Sequence, residues 1–167
     1  MYDRKKAVKY AYQYALIPNE KYIYFKDNDC TNFVSQCLRA GGAKDDYNKT
    51  HPWWYKDKKC SICWSVAASL YWYIKGSTEK GKGGIKAKTI YVNGDSKYKS
   101  SIADVLEVGD IVQYRNEEGR IQHSAIITGF IYSYKGKEPL ISQHTFEGLN
   151  ITWRKNHKQT IFHHIRL

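Results

Sequence analysis

Apolar residues fall at helical spacing in the first half of the chain and at strand spacing in the second. Over residues 3–16, Ala7, Val8, Ala11, Tyr14 and Ala15 form one stripe, with Asp3 placed to cap it and Pro18–Asn19 to end it. A second helix is expected from about Cys30, with Asp29 as N-cap and Phe33, Val34, Cys37 and Leu38 as the apolar face. Gly41–Gly42 stops it. A third helix is expected over 62–75, with Trp64, Ala67, Ala68, Tyr71 and Ile74 inward. Residues 43–60 read as a polar loop around His51-Pro52-Trp53-Trp54, and 76–88 as a basic, glycine-rich loop. Strands are expected at 89–93, 110–115, 121–132, 139–146 and 160–166, with Asn116–Gly119 as a hairpin turn. Helices first (about 1–76) and strands afterwards (about 89–167) predict one α+β domain over 1–167, its N-terminal helices packed on a C-terminal antiparallel sheet.

Composition narrows the field. Of 167 residues, 42% are hydrophobic, enough to bury a core and exclude wholesale disorder. Lys and Arg outnumber acids 27 to 16, a net charge of +11 that favours anionic partners without choosing among them. No nucleic-acid motif accompanies the charge, and no apolar run reaches membrane-spanning length. The first residues hold no export signal, which leaves room for an excised domain of a larger protein. Cys30, Cys37, Cys60 and Cys63 are too few and too irregular for a disulfide framework. Cys60 and Cys63 form a CxxC, but no second pair follows to complete a zinc site, and no βα context precedes it for redox work.

The chemistry concentrates at Cys30. A helix N-terminus carries partial positive charge and free N–H groups, which are expected to lower a thiol pKa and to hold an acyl oxyanion. A thiolate nucleophile needs a base, and His123, opening the apolar strand His123-Ser124-Ala125-Ile126-Ile127, is the best candidate. A third polar group must orient that ring. The next strand offers Gln143 or His144, and strand alternation lets only one of them face His123 unless the strand bulges.

At these residues the chain resembles the putative amidase domain family of bacterial papain-like cysteine hydrolases, related to the NlpC/P60 and CHAP groups. Asp29–Gly42 resembles its nucleophile helix. The opening helix with Asn19 and Tyr22 resembles its N-terminal helix. The segments VGDIVQY, QHSAIITG and ISQHT resemble its Gly-Asp turn, base strand and third-polar strand, in that order. The resemblance implies a papain-like fold of NlpC/P60 type, with Cys30 as nucleophile, His123 as base and His144 as the third member. It places Asp29 in a supporting, capping role and leaves Tyr22 or Tyr24 as sources of a further oxyanion hydroxyl. Where this chain has Cys60 and Cys63 the family usually has Ser, which would allow a disulfide in an oxidising setting.

The resemblance further implies amide hydrolysis through a thioester, with no metal or other cofactor. The substrate implied is peptidoglycan or a peptide, in an extracellular or wall-associated bacterial setting where anionic wall polymers would attract the basic surface. Trp53, Trp54 and Trp64 are the expected cleft residues. Two other readings stand beside it: a protease, deamidase or transamidase (including an antibacterial toxin) on the same site, and a non-catalytic basic binder of wall polymer or nucleic acid.

Overall fold

Asp3 accepts a hydrogen bond from the Lys6 amide and starts helix α1 (Arg4–Tyr14), as a capping carboxylate should. The computed structural model describes residues 1–81, 83–94, 98–134, 136–153 and 156–167. Helix α2 (Cys30–Ala40) follows and is buried at every position from Cys30 to Leu38. An amphipathic stripe would bury one face only. Burial all round means that α2 lies inside the fold, with α1, the later helices and the sheet around it.

A short hairpin, β1 (Tyr55–Lys56) and β2 (Lys59–Cys60), occupies the expected polar loop. Asp57 and Lys58 both take positive φ, as a two-residue hairpin turn demands. The expected helix over 62–75 is instead two: α3 (Ile62–Ser65) and α4 (Ala67–Lys80), separated where Val66 goes extended. Helix α4 also runs past Gly76 to a left-handed Gly81 cap, and β3 (Lys86–Asn93) starts early. The expected 76–88 loop thereby shrinks to a few residues, of which Lys82 lies outside those described.

After the short α5 (Ser100–Ala103) come β4 (Ile111–Arg115), β5 (Ile121–Ser133), β6 (Gly136–Gln143), β7 (Gly148–Thr152) and β8 (Gln159–Arg166). With β3 they form one curled antiparallel sheet in the order β3-β8-β4-β5-β6-β7. The fold is α+β, with α1 to α4 preceding the main sheet and the short α5 between β3 and β4. Asn116–Gly119 makes the hairpin turn between β4 and β5.

The central strands are covered on both faces. Ile111 and Ile165 pack with Val34, Leu38, Trp53, Trp64 and Leu70 on the helical side. Val112, Ala125, Ile127, Ile141 and Phe162 pack with Leu106 and Trp153 on the other. Continuous burial of β4 from Ile111 to Tyr114 follows from this, in place of the usual alternation.

One buried carboxylate ties the first helix to this sheet. Gly109, at φ 88°, turns the chain so that the Asp110 side chain points inward. Asp110 accepts from Arg4 at 2.6 Å and from the amides of Glu107 and Ile165, and meets His164 Nδ1 at 2.9 Å. The Gly-Asp turn of the sequence is thus a structural lock between α1, β4 and the end of β8.

Candidate active site

Cys30 is the first helical residue of α2 and only 1% exposed. The first intrahelical bond runs from the Phe33 amide to the Asp29 carbonyl, so the preceding amides have no acceptor inside the helix. The Thr31 amide, the Thr31 hydroxyl and the Ser124 amide of β5 all bond the thiol, and each pulls its pKa down. Burial pulls harder, and the net shift is upward from the ordinary 9.0. The lowering expected from the helix terminus is therefore outweighed by desolvation, which raises the thiol pKa.

The Ser124 contact places the sulfur one residue from His123. His123 is 4% exposed, and its Nε2 lies 2.8 Å from Gln143 Oε1. The other end of that amide fixes its orientation, because Gln143 Nε2 donates to the Phe146 carbonyl at 2.8 Å. An amide oxygen only accepts, so His123 Nε2 carries a proton, and in the neutral ring Nδ1 carries the lone pair. That is the tautomer a base needs.

His144 does not fill the third position expected of it. It follows the last residue of β6, where the chain turns through Thr145 (φ 54°) and Phe146 (φ 71°) towards β7. Its Nδ1 contacts Asp29 Oδ2 at 2.5 Å, and its Nε2 contacts the Tyr14 carbonyl at 2.6 Å. The ring stacks on Phe33 with centroids 4.2 Å apart. Both nitrogens are thus committed elsewhere. Alternation along β6 sends Gln143 to His123 and His144 the opposite way.

Asp29 is likewise not the expected side-chain cap of α2. Its Oδ1 accepts from the Phe25 amide and Asn32 Nδ2, its Oδ2 holds His144, and its own amide donates to Thr145 Oγ1 at 2.8 Å. Together these contacts clamp the end of α1, the start of α2 and the β6–β7 turn. Thr145 is a β-branched residue in left-handed conformation, a costly state that the clamp holds in place.

The other expected residues divide. Trp53 and Trp64 are fully buried, their indole N–H groups bonded to Ser35 and Asn32. They are core, not cleft. Trp54 is half-buried and stacks on Tyr47. Tyr22 packs against Tyr55 and Trp64, and the Tyr24 hydroxyl donates to Glu147 at 3.3 Å. The exposed rings beside the site are Tyr24 and Phe146. A cavity of about 570 Å³ exists, but Asp46, His51, Tyr73, Ser77 and Lys86 line it, and none of Cys30, His123 or Gln143 does.

All four cysteines are free thiols, Cys60 and Cys63 included. Among the described residues no three His, Cys, Asp or Glu side chains converge as a metal site would require. No described helix is long and apolar enough to cross a membrane.

The sequence model of a family described as "Putative amidase domain" matches residues 1–165. Two Bacillus subtilis (strain 168) proteins, both uncharacterized, are similar. YhbB is 36% identical over 155 residues, which are 91% of this chain and 44% of that protein. YjcM is 34% identical over 158 residues, 90% of this chain and 32% of that protein. The chain thus spans less than half the length of either relative. No solved structure matches significantly.

Proposed function

The chain belongs to the putative amidase domain family, and on that premise we propose that it is a cysteine hydrolase with a papain-like fold, cleaving amide bonds at Cys30. The observation that carries this reading is the pairing of His123 Nε2 with an oriented amide oxygen at 2.8 Å, one residue from a backbone amide that touches the thiol.

The reaction begins with a protonated thiol. His123 Nδ1 takes the Cys30 proton as the sulfur attacks the substrate carbonyl, so the base acts during attack and no resting ion pair is needed. The N-terminal amides of α2 face the developing oxyanion. The imidazolium passes its proton to the leaving amine, and a thioester remains on Cys30. Nδ1 then removes a proton from water, the hydroxide attacks the thioester, and the acid leaves as the thiol is re-protonated. Gln143 holds the ring in register throughout.

For substrate we infer the peptide or amide bonds of bacterial cell-wall peptidoglycan, met in an extracellular or wall-associated setting. The net charge of +11 supports this, since it favours encounter with phosphate- and carboxylate-bearing polymer. Tyr24 and Phe146, exposed beside the site, are the rings suited to contact it.

Incubation with purified peptidoglycan tests the reading. New amino groups or soluble fragments should appear with the native chain and be absent with Cys30→Ala. Cleavage by a folded Cys30→Ala protein would refute the nucleophile assignment.

A further inference from the structure

Behind Cys30 a file of buried polar side chains crosses the sheet. Thr89 Oγ1 lies 3.1 Å from His163 Nδ1, and His163 Nε2 lies 3.0 Å from Gln113 Oε1. Gln113 Nε2 donates to the Ala67 carbonyl at 2.9 Å and to Ser124 Oγ at 3.0 Å. Ser124 Oγ meets Thr31 Oγ1 at 3.0 Å, and Thr31 Oγ1 meets Cys30 Sγ at 3.6 Å. Gln113, Ser124 and Thr31 are each fully buried. Polar groups in such a place cost free energy unless their bonds are made, and here each is made to the next.

Proton accounting gives the file one direction. The Ala67 carbonyl requires the amide nitrogen of Gln113 on its side, so that nitrogen also donates to Ser124 and the oxygen faces His163. Gln113 Nε2 can only donate to Ser124, so among its described partners the Ser124 proton has one acceptor, Thr31 Oγ1. With Ser124 donating to it, the Thr31 hydroxyl is left to donate to the sulfur. Burial keeps His163 neutral, with its pKa pushed down to about 3, so Nε2 remains a donor to Gln113 and Thr89 donates to Nδ1.

We propose that Gln113, Ser124 and Thr31 are positioning residues for the nucleophile, a one-way relay of hydrogen bonds that keeps the Thr31 hydroxyl donating to the Cys30 sulfur. A rotating hydroxyl is an even-handed partner. One whose neighbour on the other side is a committed donor turns its proton to the sulfur, and it favours the thiolate over the thiol. The proposal rests on the reading of Cys30 as nucleophile.

The pH dependence of Cys30 alkylation by iodoacetamide, resolved from the other thiols by peptide mass spectrometry, tests it without any amide substrate. The charged or titratable groups around the thiol are Asp29 on its own helix, His144 bound to Asp29, and His123 on β5, and every variant retains them. Thr31→Val removes the donor and should raise the midpoint by about one unit, or roughly tenfold less thiolate at neutral pH. Ser124→Ala keeps the Thr31 hydroxyl but frees its direction, and should produce a smaller rise, about threefold in thiolate. Thr31→Ser should restore the native profile. Should Thr31→Val fail to fold by circular dichroism, Ser124→Ala decides. Profiles for the folded variants that overlay the native one overturn the relay. Shifted profiles in a protein that hydrolyses nothing would keep the relay and remove the hydrolase reading.

Discussion

Gln143 presents its amide oxygen to His123 Nε2 at 2.8 Å because its nitrogen is tethered to the Phe146 carbonyl at the same distance. The β6–β7 turn therefore sets the tautomer of the proposed base. Gln143→Ala removes the acceptor while leaving the Cys30 thiol and the His123 ring in place. Hydrolysis should fall by up to about 100- to 10,000-fold, the scale a well-positioned general base supplies. Gln143→Glu keeps an acceptor and should retain more activity than the alanine variant. Equal loss in both, measured as kcat with folded protein, would argue against an orienting role.

His144 yields the opposite expectation. Its ring joins Asp29 and the Phe33 face of α2 to the Tyr14 carbonyl at the end of α1, beside the Asp29 amide bond to Thr145. His144→Ala leaves Asp29 Oδ2 buried without its partner, although Oδ1 keeps the Phe25 amide and Asn32, and a buried polar pair broken in this way costs up to about 3–5 kcal/mol. At roughly 2–4 °C per kcal/mol, Tm should drop by up to about 6–20 °C. Full thermal stability combined with loss of turnover would return His144 to the catalytic set.

The choice between these two residues marks the limit of what could be read from the chain. Alternation along ISQHT showed that only one could face His123, and the helix–sheet order and most strand positions followed from hydrophobic spacing. What decided the matter was where β6 ends, and that depends on two consecutive left-handed residues, Thr145 and Phe146, with no glycine to signal them. The same applies to the tryptophans. Trp53 and Trp64 carry polar handles that suit a cleft, and only the tertiary partners Ser35 and Asn32 reveal them as core. Strand β7 was missed because Gly148–Thr152 is short and polar at its centre. The buried file through Gln113 and Ser124 is invisible locally, since its members are far apart in sequence and of types common on surfaces.

Asp110 offers a test of the lock under α1. Asp110→Ala would leave the amides of Glu107 and Ile165 without an acceptor and remove the buried counter-charge of Arg4, which keeps only its carbonyl bonds and the exposed Glu107. Arg4 is itself mostly buried, its side chain 18% exposed, so solvent compensates little. Urea denaturation should show a loss of about 3–5 kcal/mol. Glu107→Ala removes only the longer contacts to Arg4 and His164 from a carboxylate 59% exposed, and should change stability by less than about 1 kcal/mol. Comparable losses in the two variants would show that the buried carboxylate is not the lock.

His163 makes the fold sensitive to acid. Complete burial between Thr89 and Gln113 lowers its pKa from 6.5 to about 3, because the charged ring would lose its hydration. The unfolded chain takes up a proton as pH falls through about 6.5, whereas the folded chain does not until about 3. The unfolded state therefore binds more protons across that window, and stability declines as pH falls through it. At roughly 1.4 kcal/mol per unit of separation, the total is a few kcal/mol. His163→Gln retains polar atoms for the same neighbours and removes the titration. It should be less stable than the native chain at pH 7, and the two urea-denaturation curves should converge as pH is lowered from 7 to 4. The two proteins differ at this one position, so the difference between the curves isolates His163. A difference that stays constant over this range would mean that the ring accepts its proton within the folded state, and that the buried file beside the nucleophile is open to water.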